Sequence, residues 1–587
     1  MRKLHINILH RIENGDTGSN MFKGLMCQQE AAHNAGLKVT LLLGVASLYS
    51  EKCVEYAKQQ ATEFGDELGL NLHYPTDCGL GEKFGIKDNM TYLMPFDLKI
   101  KLLRFVMDLF KEKIGYYPKS IVAYVFDART LNWFHENYPC VMAAVTNCFE
   151  EGVKMFYGNQ NQWYLFNDGG PWGAYYPSKT NSLIMAKNED DYCGIVGLPH
   201  LNRDMLMAIT SRDDLFSSHP HNVLRAKAYD YENMTMPYMN KFVDQWVEEL
   251  KYNDYVYYNV FVGPNWLTDD TILEETGDFA KELYIQNMNY LGEKVSQDIA
   301  TTSTMSEFAA WMENNIKIGA PEVNKWRDIV CGSEREVYWY QDPYFRVTLD
   351  ANIGGAICDL RPHVGRLEKN LGNDTENLHN MNYPYVISAE YRGGVHDGSI
   401  HTYILEVNGK KTDLAAARTK ATPYINENGE RCVEFSPAVF CIDGVRVSVL
   451  SSYTFKGEGK IEISRKIIDC SDPNAVVKIT EHHCGCWGDT TYPEDMRGIS
   501  LGIIKNEKRE ELDYNYLGRE LDECDADRIY ANIPQLNINV SMNSTDSMVK
   551  YKITEGWMFR PFYYMEIEKE LKKEEELKIC LKIQQAE

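Results

Sequence analysis

Residues 119–137 read KSIVAYVFDARTLNWFHEN. Within them, the apolar run from Ile121 to Phe126 has the length and the β-branched content of a buried strand. Asp127 follows this run directly, and apolar residues at helical spacing then continue from Ala128 to Asn137. A buried strand that passes at once into a helix is the repeating unit of an α/β fold with a parallel sheet.

The same alternation extends over the first 330 residues. Because parallel strands are joined by crossover helices, we predict a distorted (β/α) barrel, the catalytic domain, over residues 1–330. Glycines 36, 69 and 115 are predicted to end the helices that precede them. The predicted elements are strands at 4–12, 38–43, 141–145 and 255–262, and helices at 22–32, 54–68, 95–114, 240–250 and 306–316.

After Trp326 the pattern changes from helical to alternating. Three stretches alternate apolar and polar side chains as half-buried strands do, at 445–455, 461–467 and 577–583. Asn408-Gly409 and Asn428-Gly429 are hairpin signals, and the charged run 568–578 is predicted to be a solvated hairpin. We therefore predict an antiparallel β-sandwich domain over residues 331–587.

Composition and charge exclude several classes of partner. The chain has 587 residues, a net charge of −24 and a pI near 5.1, so its field repels phosphate backbones and anionic membranes. The longest strongly apolar stretch, residues 39–46, is far shorter than the ~20 residues of a membrane span. Fifteen irregularly spaced cysteines and an N-terminus without a signal-peptide pattern predict a cytoplasmic protein with reduced thiols. The sequence does not decide the oligomeric state, and a homo-oligomer is one of the options it leaves open.

Acidic residues follow the predicted strands at the edge where the loops of a barrel converge. Asp127 follows one strand, Glu13 follows the first strand, and Glu150 and Glu151 follow the strand at 141–145. Carboxyl pairs at such an edge suit glycoside hydrolysis, with about 5–5.5 Å between them in retaining enzymes and about 6.5–9.5 Å in inverting ones. We predict these four as catalytic candidates. The structural alternatives are a helix cap for Asp127, a turn for Glu13 and a surface position for either of the other two.

Several further residues are candidates for substrate binding. His10 and Asp16 flank Glu13 in the first loop, where Asp16 has the alternative of bonding its own turn. The aromatic, glycine-rich segment 162–178 suits a sugar platform, with the packed Ω-loop as the alternative. His219 and His221 suit hydroxyl binding or proton relay. The candidates within the aromatic segment are Trp163, Asp168, Trp172 and Tyr175.

Metal and cofactor signals are weak. His482, Cys484 and Cys486 share one face of a predicted strand, but their spacing matches no usual zinc motif, so a structural role is favoured. No glycine-rich phosphate loop occurs. We predict no cofactor, and a divalent metal is an option without a motif to support it.

Two stretches resemble a known superfamily. Residues 115–131, GYYPKSIVAYVFDARTL, resemble the nucleophile strand of the glycoside hydrolase/deacetylase superfamily, the distorted seven-stranded barrels of family 57 amylases, family 38 mannosidases and polysaccharide deacetylases. Residues 300–309, ATTSTMSEFA, resemble the segment that closes such barrels. The resemblance implies a nucleophile at Asp127, a β-sandwich after the barrel and a place in a bacterial branch with this layout. The Asp-Asp motif and paired metal histidines of the deacetylases are not evident in this sequence.

These observations predict a glycoside hydrolase that acts on oligosaccharides or glycosides through paired carboxylates at the barrel mouth. In this prediction Asp127 attacks the anomeric carbon or activates water, and a second acid protonates the leaving oxygen. Two alternatives stay open. One is a metal-dependent sugar or polysaccharide deacetylase, and the other is a non-catalytic carbohydrate-binding protein on a barrel scaffold.

Overall fold

The chain divides into two compact units. The first takes in residues up to 320 together with Ile329, and the second takes in 321–328 and the described residues from 333 onward. The structure is a computed structural model, and it describes residues 2–87, 91, 94–123, 125–147, 171–200, 202, 204–206, 236–268, 277–329, 333–364, 386–388, 391–392, 395–396, 399–412, 417–486, 499–513, 522–546, 549–557 and 561–586.

The first unit contains a parallel sheet with helices. Its described helices are α1 (Asn20–Asn34), α2 (Val45–Leu48), α3 (Glu51–Phe64), α4 (Leu80–Phe84), α5 (Phe96–Ile114), α6 (Ala128–Asn137), α7 (Met236–Glu248), α8 (Gly277–Ser296) and α9 (Met305–Asn315). Its described strands are β1 (Leu4–Ile12), β2 (Val39–Leu43), β3 (Glu67–Asn71), β4 (Ser120–Val122), β5 (Ala143–Asn147), β6 (Val196–Pro199), β7 (Val256–Val260) and β8 (Ala300–Thr302).

Seven of these strands form one row in the order β6-β5-β4-β3-β2-β1-β7, and all neighbours are parallel. The short strand β8 pairs with the first half of β1. Within the described residues no pairing joins β6 to β7, the two ends of the row. The sheet is therefore a curled half-barrel, and the predicted distorted barrel fold class is confirmed in this form.

The ends of the helices follow local backbone chemistry. The hydroxyl of Ser19 accepts a hydrogen bond from the backbone of Phe22 and so caps the start of α1. Gly65, with a left-handed φ of 78°, ends α3 four residues before the predicted stop at Gly69. Gly69 instead lies inside β3, where an added Cβ would lie 2.5 Å from the hydroxyl of Ser120 on β4. The predicted end of this helix was wrong because Gly69 serves the close approach of two strands.

Apolar side chains cover both faces of the curled sheet. One face packs on the surrounding helices through residues such as Leu41, Leu70, Ile121, Leu103 and Phe134. The other face packs on α9 and on residues between 174 and 186. Because both faces are buried, most strand residues are apolar, and the few polar side chains inside strands, such as Asn7 and Thr40, are buried as well.

The second unit consists of antiparallel sheets. One larger sheet has the order β25-β28-β29-β22-β16-β12-β11-β10-β9, and the other has the order β18-β19-β20-β21-β30-β27-β26-β23-β24. These sheets confirm the predicted sandwich-like fold class. The described strands are β9 (Glu322–Arg327), β10 (Glu336–Gln341), β11 (Phe345–Asp350), β12 (Ala356–Pro362), β13 (Ile387–Ser388), β14 (Tyr391–Arg392), β15 (Val395–His396), β16 (Ile400–Val407), β17 (Lys410–Lys411), β18 (Ala421–Ile425), β19 (Arg431–Ile442), β20 (Val445–Gly457), β21 (Lys460–Cys470), β22 (Val477–Cys486), β23 (Ser500–Lys505), β24 (Lys508–Leu512), β25 (Asp522–Cys524), β26 (Arg528–Ile533), β27 (Ile538–Ser544), β28 (Lys550–Trp557), β29 (Pro561–Leu571) and β30 (Glu576–Gln585).

Candidate active site

Five side chains meet at the carboxyl edge of the parallel sheet, and we call them the mouth cluster. The rings of His73 and His200 lie 5.9 Å apart, and Phe261 lies 5.7 Å from the first and 4.8 Å from the second. The guanidinium of Arg11 lies 5.3 Å from the centre of the Phe261 ring. These residues follow or end β3, β6, β7 and β1, so the curl brings together strands that are not neighbours in the row. Glu13 completes the cluster.

Glu13 is held between a cation and an imidazole. Its Oε1 lies 3.1 Å from Nε of Arg11 and 3.9 Å from Nδ1 of His73, and its side chain is 13% exposed. Burial raises the pKa of Glu13, but the charge of Arg11 and the contact with His73 outweigh burial and leave that pKa below its usual range. Glu13 is therefore an ionised carboxylate at neutral pH that still reaches solvent.

His73 is a neutral imidazole. Arg11 Nη1 lies 3.0 Å from His73 Nδ1, and because guanidinium only donates, Nδ1 is the acceptor and Nε2 carries the proton. Burial, which outweighs the neighbouring Glu13, lowers the pKa of His73 to about 4. The mouth cluster thus contains one cation, one anion and an uncharged imidazole whose Nδ1 accepts from Arg11.

A second carboxyl group lies close to Glu13 in the turn after β3. Asp77 is half-buried, and burial followed by the charge of Glu13 raises its pKa. The environments of the two groups therefore shift their pKa values in opposite directions, that of Asp77 upward and that of Glu13 downward. A pair of this kind can supply a general acid and a base or nucleophile.

Buried amides hold the backbone beneath the cluster. Asn259 Nδ2 donates to the carbonyls of Pro199 (2.8 Å) and His200 (3.3 Å), and its N–H donates to Oδ1 of Asn202 (2.8 Å). Asn202 Nδ2 in turn donates to the carbonyl of Tyr257 (2.9 Å). These bonds tie the loop after β6 to β7, so the position of His200 is set by the two end strands.

Asp127 occupies a different environment from the one that the sequence predicts for a nucleophile. Its carboxylate is 1% exposed beneath the start of α6. Oδ1 accepts the backbone N–H of Thr130 at 3.0 Å, and Oδ2 accepts the Thr130 hydroxyl and the ammonium of buried Lys99, both at 2.6 Å. The geometry is that of the helix-cap alternative, and no contact between described residues joins Asp127 to the mouth cluster.

His10 and Asp16 also lie outside the mouth cluster. His10 is fully buried on the helix side of β1, where Nδ1 donates to Gln29 (2.9 Å) and Nε2 accepts from Tyr284 (2.7 Å). Its side chain points away from the mouth because side chains alternate along a strand and Arg11 takes the other face. Asp16 is exposed and accepts the backbone N–H of Gly18, which is the predicted turn alternative.

Trp172 and Tyr175 are buried and not displayed at a surface. Trp172 is 2% exposed and Tyr175 is 1% exposed. The Tyr175 hydroxyl donates to the carbonyl of Ser182 and lies 2.9 Å from the hydroxyl of Thr146. In the described part of the segment, residues 171–178, these rings are packed and are not accessible to a sugar. Glu150, Glu151, Trp163, Asp168, His219 and His221 lie outside the described residues.

The sequence patterns missed His73, Asp77, His200 and Phe261. The rule that reacting groups follow parallel strands would have found the first two if β3 had been predicted, but Gly69 indicated a helix end. β6 has four residues and gives little periodic signal. Phe261 falls inside the strand predicted at 255–262, so it does not stand out as a residue that follows a strand.

No set of three His, Cys, Asp or Glu side chains among the described residues has a geometry that could hold a metal ion. On β22, His482 pairs with Glu566 of β29, its Nδ1 lying 2.7 Å from the carboxylate.

In the part of the chain that the structure describes, no helix is long and apolar enough to cross a bilayer.

Comparisons with known proteins give similarity in structure only. No family model and no curated protein matches the sequence. A Parabacteroides distasonis protein provisionally described as a glycoside hydrolase/deacetylase is similar with 15% identity and a TM-score of 0.45, over 62% of this chain and 85% of its own.

Two other solved structures are more distant. A 4-alpha-glucanotransferase from Thermococcus litoralis matches with 9% identity and a TM-score of 0.27, over 100% of both chains. A heparan sulfate lyase mutant from Pedobacter heparinus matches with 12% identity and a TM-score of 0.27, over 62% of this chain and 56% of its own.

Proposed function

We propose that this chain is a carbohydrate-active enzyme, specifically a glycoside hydrolase whose reaction takes place at the mouth cluster. The observation that carries the proposal is the pairing of Glu13 with Asp77. They are two carboxyl groups at the carboxyl edge of a parallel sheet, and their surroundings shift the pKa of Asp77 upward and that of Glu13 downward.

In the proposed reaction, Asp77 donates its proton to the glycosidic oxygen as the bond to the anomeric carbon breaks. The ionised Glu13 either attacks that carbon or takes a proton from the attacking water. If Glu13 attacks, water later displaces it and returns a proton to Asp77. Arg11 keeps Glu13 ionised and in place, and Phe261 supplies an apolar surface beside Arg11.

Assay of the purified chain against a panel of aryl glycosides, with and without chelator, tests this proposal. We expect Glu13→Gln to lower kcat by about 10²–10⁴-fold, because a general base or nucleophile contributes about that factor. Glu51→Gln, an exposed glutamate at the start of α3, is the matched control and should leave kcat unchanged.

The pH profile tests the role of Asp77. In the free enzyme, kcat/KM should fall at low pH as Glu13 gains a proton and fall again at higher pH as Asp77 loses one. Asp77→Asn should remove the upper limb and lower the rate. Full activity of Glu13→Gln or of Asp77→Asn would reject the assignment. Acetate release from acetylated sugars that needs added Zn²⁺ would support the deacetylase alternative instead.

A further inference from the structure

A cavity lies at the opposite end of the sheet from the mouth cluster. It has a volume of about 320 Å³ and is lined by Lys3, His5, Thr301, Ser303 and Trp311. His5 precedes Glu13 by eight residues along β1, which corresponds to about 26 Å of extended strand. We call this space the His5 cavity. It is independent of the site proposed for catalysis.

The rings in this cavity form one wall. The centre of the His5 ring lies 3.8 Å from that of Trp311 at an interplanar angle of 37°, and His5 is 6% exposed. Tyr255 packs edge-on against Trp311 at 5.4 Å. The indole is half-buried, so one aromatic surface is fixed by packing while part of it remains accessible.

Several hydrogen-bonding groups converge on the same space. Within the described residues, neither ring nitrogen of His5, nor the indole N–H of Trp311, nor the hydroxyl of Thr301 has a hydrogen-bond partner. The Ser303 hydroxyl accepts from Asn7 Nδ2 at 3.0 Å and keeps its own hydrogen to donate. Thr301, Ser303 and Trp311 are partly exposed, so their hydrogen-bonding groups are open to a ligand that enters the cavity.

The charges in the lining compensate one another. The ammonium of Lys3 is paired with the carboxylate of Asp298. Burial, and then the charge of Lys3, lowers the pKa of His5 to about 4, so its imidazole is uncharged at neutral pH. A neutral ligand with several hydroxyl groups therefore fits this lining better than an anion does.

We propose that the His5 cavity binds a neutral monosaccharide or the terminal sugar of a glycan. Its volume lies at the small end of the range of about 300–1,000 Å³ found for ligand pockets. Hydroxyl groups of the sugar would pair with His5, Thr301, Ser303 and the indole N–H, and its C–H face would lie against the aromatic wall.

Saturation-transfer NMR of the full chain with glucose, galactose, mannose, xylose and N-acetylglucosamine, each added alone, tests the proposal. We expect at least one sugar to bind with a millimolar dissociation constant. Trp311→Phe keeps the ring but removes the N–H, and Thr301→Val removes one hydroxyl at constant shape. Each should weaken that binding by about tenfold, the effect of one lost hydrogen bond.

Two control variants make the result specific to this cavity. Thr302→Val changes the adjacent residue, whose hydroxyl accepts the backbone N–H of Lys38, and it should keep wild-type affinity. Glu13→Gln should also keep it, because the mouth cluster lies at the other end of the sheet. The proposal is overturned if none of the five sugars binds, if Trp311→Phe and Thr301→Val bind as tightly as wild type, if the signal is lost with Glu13→Gln, or if inorganic phosphate binds more tightly than the sugars.

Discussion

The carboxylate of Asp127 accepts hydrogen bonds from Lys99 and from both the hydroxyl and the backbone of Thr130, and it is almost completely shielded from water. Lys99 is also fully buried. Removing one member of such a pair leaves an uncompensated charge in a medium of low dielectric constant, which costs far more than the pair contributes. Asp127 therefore stabilises the junction between β4 and α6 through charge as well as through capping.

Asp127→Asn separates these two contributions, because asparagine is as good a helix cap as aspartate. We expect it to lower the free energy of unfolding of the first unit by about 3–5 kcal/mol, the cost of breaking a buried ion pair by removing one partner. Urea denaturation measures this. The control is Asp278→Asn, since the pair of Asp278 with Lys281 is exposed and should contribute less than about 1 kcal/mol.

A second variant decides between charge and shape. Lys99→Met combined with Asp127→Asn removes both charges at similar volume and should recover most of the lost stability. If Asp127→Asn unfolds at the same urea concentration as wild type, the ion pair has no stabilising role. A variant that is equally stable but inactive would return Asp127 to the catalytic role predicted from the sequence.

Among the elements, α1 sets the position of the loop that carries Phe261. Gln28 Nε2 donates to the carbonyl of Val262 at 3.0 Å. One turn earlier, Gly24 faces the short 3₁₀ helix Pro264–Leu267, and a Cβ added at Gly24 would lie 2.2 Å from the carbonyl oxygen of Pro264. The contact is therefore possible only for glycine, although glycine is a poor helix former.

Gly24→Ala tests this close contact. Helix propensity alone predicts a gain of about 1 kcal/mol, whereas the overlap with rigid backbone predicts a loss of about 1–3 kcal/mol. We expect the loss to dominate in chemical denaturation. Met26→Ala, at a half-exposed position of α1, is the control and should change stability by less than about 0.5 kcal/mol. A Gly24→Ala variant more stable than wild type would show that the loop moves freely away from α1.

Elements with strong local signals could be predicted from the sequence, and elements defined by tertiary contact could not. β1 and α6 have the predicted bounds, since apolar residues recurring at strand spacing and a capped amphipathic stretch carry their own information. β3 was missed because Gly69 is a helix terminator by propensity, and only the distance to β4 explains it. Asn408-Gly409 forms the predicted hairpin, with both residues at positive φ.

For the whole molecule, the candidate site depends on the curl of the sheet. Glu13 could be predicted because it follows the first strand, and strand ends are readable in a sequence. Its grouping with His73 and His200 could not, because these residues follow β3 and β6, which are not neighbours of β1 in the row. The periodicity of each strand gives its burial, but it does not give the curvature that brings distant strand ends together.

The second unit carries a buried polar network between its two large sheets. Arg465 of β21 donates to Glu481 of β22 at 2.9 and 2.7 Å, and Glu481 lies 2.8 Å from Nε2 of His401. His401 Nδ1 lies 3.1 Å from His483 Nδ1, and His483 Nε2 lies 3.1 Å from the hydroxyl of Tyr563. All of these groups are shielded from solvent, so their protonation is coupled to folding.

The direction of that coupling follows from the pKa values. Burial is the main cause that lowers the pKa of His401, and it lowers the pKa of His483 by more. The unfolded chain therefore takes up protons at these two positions more readily than the folded chain does. Burial raises the pKa of Glu481, but Arg465 and His401 outweigh it and bring that pKa to about 2. Stability from Glu481 is therefore present above about pH 4.5 and is lost below it, and both histidines oppose folding as the pH falls below about 6.5.

We expect the second unit to lose stability on acidification from pH 7, with each of the two histidines contributing at most about 1.4 kcal/mol per pH unit below its unfolded pKa. His483→Gln removes one titrating group while its amide can still reach Tyr563, so the slope of stability against pH between 6.5 and 5 should fall by about half of the histidine contribution. Calorimetric melting at a series of pH values measures this, and the wild-type chain provides the reference slope. An unchanged slope in His483→Gln would mean that this imidazole stays as accessible to protons in the folded sandwich as in the unfolded chain.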